Sequence, residues 1–232
     1  MWNRKELKER ARIAFNANYW KMVAVSLLML LVGRGGNVLT FKTDKIKTDE
    51  MMIWLDSLSQ NELLAVVLGG LGFVAAFGTV LFLAKIFLLN PLYVGCKKFV
   101  KENAEFPADF NEVGSAFKLH YGNAVLTMFL KNLFLALWTM LFIVPGIIKF
   151  YSYRMVPFIL ADNPEMSSTD IITKSRDMMR GQKFDAFVLD LSFLGWSILS
   201  VITCGILGVF YVFPYMAETN AELYLVLKEN QK

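Results

Sequence analysis

Apolar residues are grouped into six long segments, and polar residues separate most of them. The segments cover about Tyr19–Val32, Leu63–Leu89, Ala124–Val144, Ile147–Leu160, Phe184–Thr203 and Ile206–Val226. Segments of this length and apolarity are typical of helices that cross a membrane. Only Pro145-Gly146 separates the third segment from the fourth, and only Cys204-Gly205 separates the fifth from the sixth. These short breaks predict two tight helical hairpins.

A recurring layout of amphipathic and apolar segments indicates an internal repeat. When Gly146 is laid on Gly205, PGIIKFYSY falls on CGILGVFYV. In a separate comparison, the amphipathic stretch ARIAFNANYW (residues 11–20) resembles SRDMMRGQKF (residues 175–184). Each returning segment has a proline near its predicted cytoplasmic end: Pro91, Pro157 and Pro214. We therefore predict an all-α polytopic membrane helix bundle of about six transmembrane spans. It is built from three helical-hairpin units, each preceded by an amphipathic interfacial helix.

These units belong to a single predicted membrane domain, residues 1–232, and cover approximately 1–100, 107–164 and 165–232. Lysine and arginine collect in the N-terminal segment and in the connections after the second and fourth spans, whereas the two hairpin tips have none. Because basic residues favour the cytoplasmic side, both termini are predicted to be cytoplasmic. The loop of residues 33–61 is then extracytoplasmic. No small-x-small cleavage site follows the basic start, so the first span is expected to be retained.

Composition agrees with a membrane protein and argues against other classes. Hydrophobic residues make up 56% of the chain and the mean hydropathy is +0.45, whereas soluble domains are usually about 45–50% apolar. The net charge is +4, but the basic residues form no stripe interleaved with aromatic residues, so we expect no nucleic-acid partner. Two cysteines and one histidine predict neither a disulfide framework nor a metal site.

Two short patterns resemble catalytic motifs without their structural context. GLGFVA (residues 70–75) fits the dinucleotide pattern G-x-G-x-x-A, but it lies in an apolar span with no strand before it, so close helix packing explains it better. SAFK (residues 115–118) fits S-x-x-K, but neither S-D-N nor K-T-G follows it. We therefore predict that the protein is not an enzyme and has no cofactor.

Arg154 is the most unusual polar residue in the apolar segments. It lies eight residues beyond Gly146, about 12 Å along a helix, and therefore near the predicted middle of the membrane. A buried arginine keeps its charge and needs water, a membrane surface or a partner. The sequence leaves open a structural tie, a site for a ligand or lipid headgroup, and snorkelling. The preferred partner is Glu218, in a predicted intramembrane polar cluster of Arg154, Glu218, Glu222, Tyr151 and Tyr211.

A second candidate pair is Lys131 and Asp190. Each lies 15 residues before the glycine of its hairpin, Gly146 or Gly205. The repeat therefore places them at equal depth and predicts an ion pair. The alternative is that both residues lie separately at the cytoplasmic interface.

Several stretches resemble one known family. SRDMMRGQKFDAFVLDLSFLGW, the TCGI hairpin and PYMAETNAELY are similar to the C-terminal half of bacterial integral membrane proteins of the domain of unknown function 975 family. NPLYVGCKKF and ARIAFNANYW resemble its other recurring stretches. That family is distantly similar to the membrane domain attached to some glycerophosphodiester phosphodiesterases. No phosphodiesterase domain is recognised in these residues, so the resemblance implies a multi-pass fold in the bacterial cytoplasmic membrane and no activity.

Two function classes remain. The preferred one is a non-catalytic scaffold or modulator of membrane partners or lipids; the alternative is a transporter or permease-like carrier of a small anionic or lipid-like substrate. Three similar units without an inverted pair favour the scaffold, whereas the Arg154 cluster favours the carrier. The expected partners are the lipid bilayer and either a membrane protein or an anionic lipid headgroup. A water-filled cavity that reaches Arg154 would favour transport, and a closed, packed bundle would favour scaffolding.

Overall fold

The structure, a computed structural model, describes residues 2–34, 53, 56–118 and 120–231, which are mostly helical and contain no strand. The α-helices are α1 (Arg4–Ala17), α2 (Tyr19–Arg34), α3 (Gln60–Ala84), α4 (Asn90–Glu105), α5 (Tyr121–Leu141), α6 (Ile143–Ser152), α7 (Val156–Asp162), α8 (Ser168–Met178), α9 (Lys183–Leu191), α10 (Leu194–Ile202) and α11 (Phe213–Glu229). Most of the predicted loop of residues 33–61 lies outside the described residues.

Helix α3 is long, apolar and exposed. It begins with a capping box, in which the Glu62 side chain accepts a hydrogen bond from the Ser59 backbone at 2.9 Å. Residues 63–84 carry no charge and extend about 33 Å, close to the roughly 30 Å thickness of membrane hydrocarbon. No residue of α3 is buried against the rest of the described chain. A π-helical turn, Lys85–Leu89, joins α3 to the largely buried α4.

Four helical stretches in the described residues are long and apolar enough to cross a membrane, which indicates a membrane protein. They are Gln60–Glu105, Tyr121–Leu141, Ile143–Asp162 and Lys183–Ile202. The pair α1 and α2, bent by 106°, would be a fifth if it is one span. The sixth predicted segment is not among them: α11 has 17 residues, and its Glu218 and Glu222 are buried. The all-helical class is confirmed, and six spans in three units stays a prediction.

The two hairpin turns lie near their predicted positions. The first is at Phe142, where the backbone is extended between α5 and α6, and not at Pro145-Gly146. A proline in the first turn of a helix needs no hydrogen-bond donor, so Pro145 lies inside α6. The second turn contains Cys204 and Gly205, both with positive φ, as the sequence predicted. Glycine adopts this conformation without the steric cost that other residues incur.

Three helices have a proline as their second residue and form the centre of the packed region; we call them the proline-initiated helices. Pro91, Pro157 and Pro214 lie in the first turns of α4, α7 and α11. Helix α4 packs against both α7 and α11, and α1 packs along α11. We call the group formed by α1, α4, α7 and α11 the core bundle.

Helix α1 confirms the amphipathic helix predicted near the N-terminus, but its apolar face contacts protein. Leu7, Ala11 and Phe15 recur every four residues on one face and are buried. That face lies against α11 within the core bundle. The apolar face of α1 was expected to lie on the membrane interface, but these three residues are buried by other helices of the protein.

Candidate functional site

Arg154 lies in the short turn between α6 and α7 and is bound by two other helices. Its Nη1 and Nη2 atoms donate to Asp190 Oδ2 and Oδ1 of α9, at 2.9 and 2.7 Å. Its Nε atom donates to Asn220 Oδ1 of α11 at 2.7 Å. A planar guanidinium suits such a bidentate contact with a carboxylate. All three nitrogens that carry its donors therefore have partners from the same chain.

Tyr151 completes this group, which we call the Arg154 cluster: Arg154, Asp190, Asn220 and Tyr151. The Tyr151 hydroxyl donates to Asp190 Oδ2 at 3.0 Å, and its ring centre lies 5.7 Å from Arg154 Cζ. The side chains of Arg154 and Asp190 are 12% and 29% exposed, so the ion pair is largely removed from solvent. The cluster ties together α6, α9 and α11.

The predicted pairing of Arg154 with Glu218 is wrong. Glu218 is fully buried, and its Oε1 atom accepts a hydrogen bond from Asn103 of α4 at 3.1 Å. Residues two positions apart on a helix point about 200° apart. Asn220 therefore faces Arg154, while Glu218 faces the opposite side of α11. The prediction rested on distance along the helices, which gives no direction around a helix.

The other predicted members of the polar cluster lie apart from Arg154. Glu222 is buried and pairs with Arg10 of α1, with 2.9 Å between Oε2 and Nη2. Tyr211 belongs to an aromatic group, where its ring centre lies 5.3 Å from that of Trp196 and 5.8 Å from that of Phe15. Of the predicted set, the structure brings only Tyr151 together with Arg154.

The predicted ion pair between Lys131 and Asp190 is also wrong, because Asp190 is bound to Arg154. Lys131 instead lines a cavity between α5 and the junction of α3 with α4. The groups that interact electrostatically with it are Tyr93 and Lys97 of α4. The repeat predicted equal depth for the two residues, but equal depth does not bring two helices into contact.

Asp162, which the sequence reasoning missed, joins the three proline-initiated helices. Its carboxylate accepts from Lys101 of α4 at 2.6 Å and from the Tyr224 hydroxyl of α11 at 2.7 Å, and it also pairs with Lys228. A negative charge at the C-terminal end of a helix, such as Asp162 in α7, is disfavoured by the helix dipole. That unfavourable position was the available signal that Asp162 needs cationic partners.

Comparison with known proteins gives one family match. Residues 142–231 match the model of a family described as "Protein of unknown function (DUF975)". This region runs from α6 to α11 and contains all four residues of the Arg154 cluster, and the match supports the resemblance over it. No curated protein and no solved structure matches the chain. The distant similarity to a phosphodiesterase membrane domain is not shown by these comparisons.

The described residues contain no group of three or more histidine, cysteine, aspartate or glutamate side chains that could hold a metal ion. The Arg154 cluster offers hydrogen bonds and charge. Its acceptors are already matched to its donors, so its geometry is that of an internal tie.

Proposed function

We propose that this chain is a non-catalytic protein of the bacterial cytoplasmic membrane that scaffolds or modulates membrane partners or lipids. The observation that carries the proposal is the pairing of Arg154 with Asp190 and Asn220. A binding site for an anionic substrate needs cationic donors that are free in the empty protein. Here the guanidinium is engaged by its own chain, which favours a structural role for the residue.

The topology that we propose has six spans in three hairpin units, with both termini in the cytoplasm. Local structure supports a repeated unit. The two π-helical turns, Lys85–Leu89 and Gly208–Val212, each end two residues before a proline, Pro91 or Pro214. The third proline, Pro157, also follows a break between two helices. The bilayer is the first partner in this proposal, together with a membrane protein or an anionic headgroup.

A carrier of a small anionic or lipid-like substrate is the second candidate. The cavity that contains Lys131 favours it, because two lysines line that cavity. The internal ion pairs favour the scaffold: Asp162 and Glu222 pair within the core bundle, and the Arg154 cluster ties α9 to α6 and α11. Flux measurements separate the two functions.

Reconstitution into liposomes tests the proposal. Purified protein is incorporated into vesicles that contain entrapped glycerol phosphate and a fluorescent phosphatidylglycerol, and efflux and lipid flipping are measured against protein-free vesicles. A scaffold should leave both rates at the protein-free level. Saturable efflux or flipping that Lys131→Gln abolishes and Lys149→Gln retains would replace the scaffold with a carrier. Lys149 is the matched control, since it lies over the Trp138 ring and outside the cavity.

A further inference from the structure

A cavity of about 470 Å³ lies where α2, the α3–α4 junction and α5 meet. This volume is within the range of roughly 300–1,000 Å³ that is usual for small-molecule sites. Its polar lining consists of Lys85, Asn90, Tyr93, Lys131 and Asn132. The cavity is separate from the Arg154 cluster, and none of the residues of that cluster lines it.

The charge in this cavity is entirely positive among the described residues. Lys85 and Lys131 line it, and no aspartate or glutamate does. Lys97 adds a third cation behind the wall, where its Nζ lies 5.3 Å from the centre of the Tyr93 ring. Neither Lys85 nor Lys131 forms an ion pair with any described carboxylate. Lys131 is half-buried, so water screens its charge less than it screens the charge of an exposed lysine, and Lys131 attracts an anion more strongly.

Two amide side chains in the cavity lack partners. Asn90 is only 7% exposed, yet its side chain makes no hydrogen bond within the described part of the chain. Asn132 is half-buried and is likewise without a described partner. Because Asn90 is largely buried and lines the cavity, its unpaired amide is available to a molecule that enters the cavity. Asn90 follows the π-helical turn directly and is the first residue of α4.

The rim of the cavity is apolar and continues onto the exposed surface of α3. Phe82 lines the cavity and is 57% exposed, and Leu133 of α5 is 40% exposed on the opposite side. Lys85 is the first charged residue after the 22 uncharged residues 63–84. A polar, cationic interior beside an apolar surface suits an amphiphile with an anionic head.

We propose that this cavity binds a phosphate-bearing anionic headgroup, with Lys131 and Lys85 as the cationic contacts. Asn90, Asn132 and the Tyr93 hydroxyl supply further hydrogen-bond donors. A phosphate ester offers several acceptor oxygens and therefore matches such a set of separated donors. The same chemistry could come from a phospholipid or from a soluble phosphate ester. The inference goes beyond the scaffold proposal, since it assigns a ligand class to one cavity and does not require transport.

Native mass spectrometry of delipidated protein in neutral detergent tests this inference. The protein is titrated with phosphatidylglycerol or with phosphatidylcholine, and the fraction with bound lipid is measured. We expect tighter binding of phosphatidylglycerol than of phosphatidylcholine. Lys131→Gln should weaken phosphatidylglycerol binding about tenfold or more, because this variant loses a charged hydrogen bond to the phosphate. Lys131→Arg should keep most of the affinity. Lys149→Gln should bind as the unchanged protein does.

A second variant keeps the test decisive if Lys131→Gln does not fold. Lys85 is exposed, so Lys85→Gln should fold normally and weaken phosphatidylglycerol binding several-fold. Three outcomes would overturn the proposal. The protein could bind the two lipids with equal affinity, Lys85→Gln could bind phosphatidylglycerol as tightly as the unchanged protein does, or Lys149→Gln could lose as much affinity as the cavity variants do.

Competition with glycerol phosphate identifies the source of the headgroup. Displacement assigns the cavity to a soluble ester, and retention of the lipid in excess glycerol phosphate assigns it to phospholipid. The flux assay reads a different property, so either proposal can fail alone.

Discussion

At the scale of single residues, Gly95 has the closest contact with a neighbouring element among the described glycines. A Cβ atom added there would lie 1.9 Å from the backbone oxygen of Val113. Val113 belongs to a 3₁₀ helix, Phe110–Phe117, which packs directly on α4. Both contacting groups are backbone, so a side-chain rotation cannot relieve the overlap. Glycine is therefore required by the close approach of two elements.

We predict that Gly95→Ala destabilises the protein by about 1–3 kcal/mol or more, as overpacking of a close contact does. Thermal unfolding in detergent, followed by circular dichroism, should show a fall of several degrees. Gly114→Ala is the matched control, because a Cβ at Gly114 meets no atom within 4 Å. Equal unfolding temperatures for the two variants would show that α4 and the 3₁₀ helix do not pack as described.

The need for a partner at Arg154 could be predicted from its sequence alone, but the partner could not. Arginine stays charged when buried, and this property holds in any fold. The identity of the partner depends on how α9 and α11 are rotated about their axes. That rotation is set by packing between helices that are distant in the sequence. Asn220 and Glu218 lie two residues apart on α11, so their positions along the helix did not identify which of them contacts Arg154. Only the packed structure does.

At the scale of elements, the sequence predicted where the helices lie in the chain better than it predicted which helices pack against each other. The apolar segments, the amphipathic α1 and the second hairpin turn all follow from local pattern. The partner of α1 does not, because amphipathicity identifies an apolar face without indicating whether lipid or protein covers it. The buried positions of Leu7, Ala11 and Phe15 show that protein covers it here. The cavity beside Lys131 likewise required three elements to be placed together.

The Arg154–Asp190 pair should couple α6 and α9 energetically. Asp190→Asn leaves a largely buried guanidinium that cannot lose its charge, so it should destabilise more than Arg154→Gln, which leaves Asp190 with the Tyr151 hydroxyl. A double-mutant cycle by thermal or denaturant unfolding should give a coupling of about 1–3 kcal/mol, below the 3–5 kcal/mol typical of breaking a fully buried pair.

The exposed pair Arg180–Asp177 provides the control cycle. Its side chains are 83% and 49% exposed, and the nitrogen-oxygen distance is 2.7 Å, as in the buried pair. Surface pairs couple weakly, so the control should give less than about 0.5 kcal/mol. A coupling for Arg154 and Asp190 no larger than that of the control would mean that the cluster does not hold the helices together.

At the scale of the whole molecule, charge separates a packed core bundle from exposed apolar helices. Long uncharged stretches, residues 63–84, 132–148 and 191–217, form α3 and the two hairpins. The residues that end these stretches include Lys85, Lys131 and Asp190. Ion pairs at Asp162 and Glu222 then hold the bundle together. The described residues therefore combine exposed apolar surfaces, which suit contact with lipid, with an internally paired polar core.

The proposed topology places the tip of the second hairpin outside the cell. The stretch Lys183–Ile202 has 20 residues and extends about 30 Å, which matches the hydrocarbon thickness. Cys204 at the tip is exposed, whereas Cys96 is fully buried.

In a Cys96→Ala background, an impermeant thiol reagent should modify Cys204 in intact cells. Arg180→Cys, made in a Cys96→Ala, Cys204→Ala background, is predicted to be cytoplasmic and should react only after permeabilisation. If Arg180→Cys is labelled in intact cells, the orientation is opposite to the proposed one. If Cys204 reacts only after detergent is added, the hairpin ends inside the bilayer.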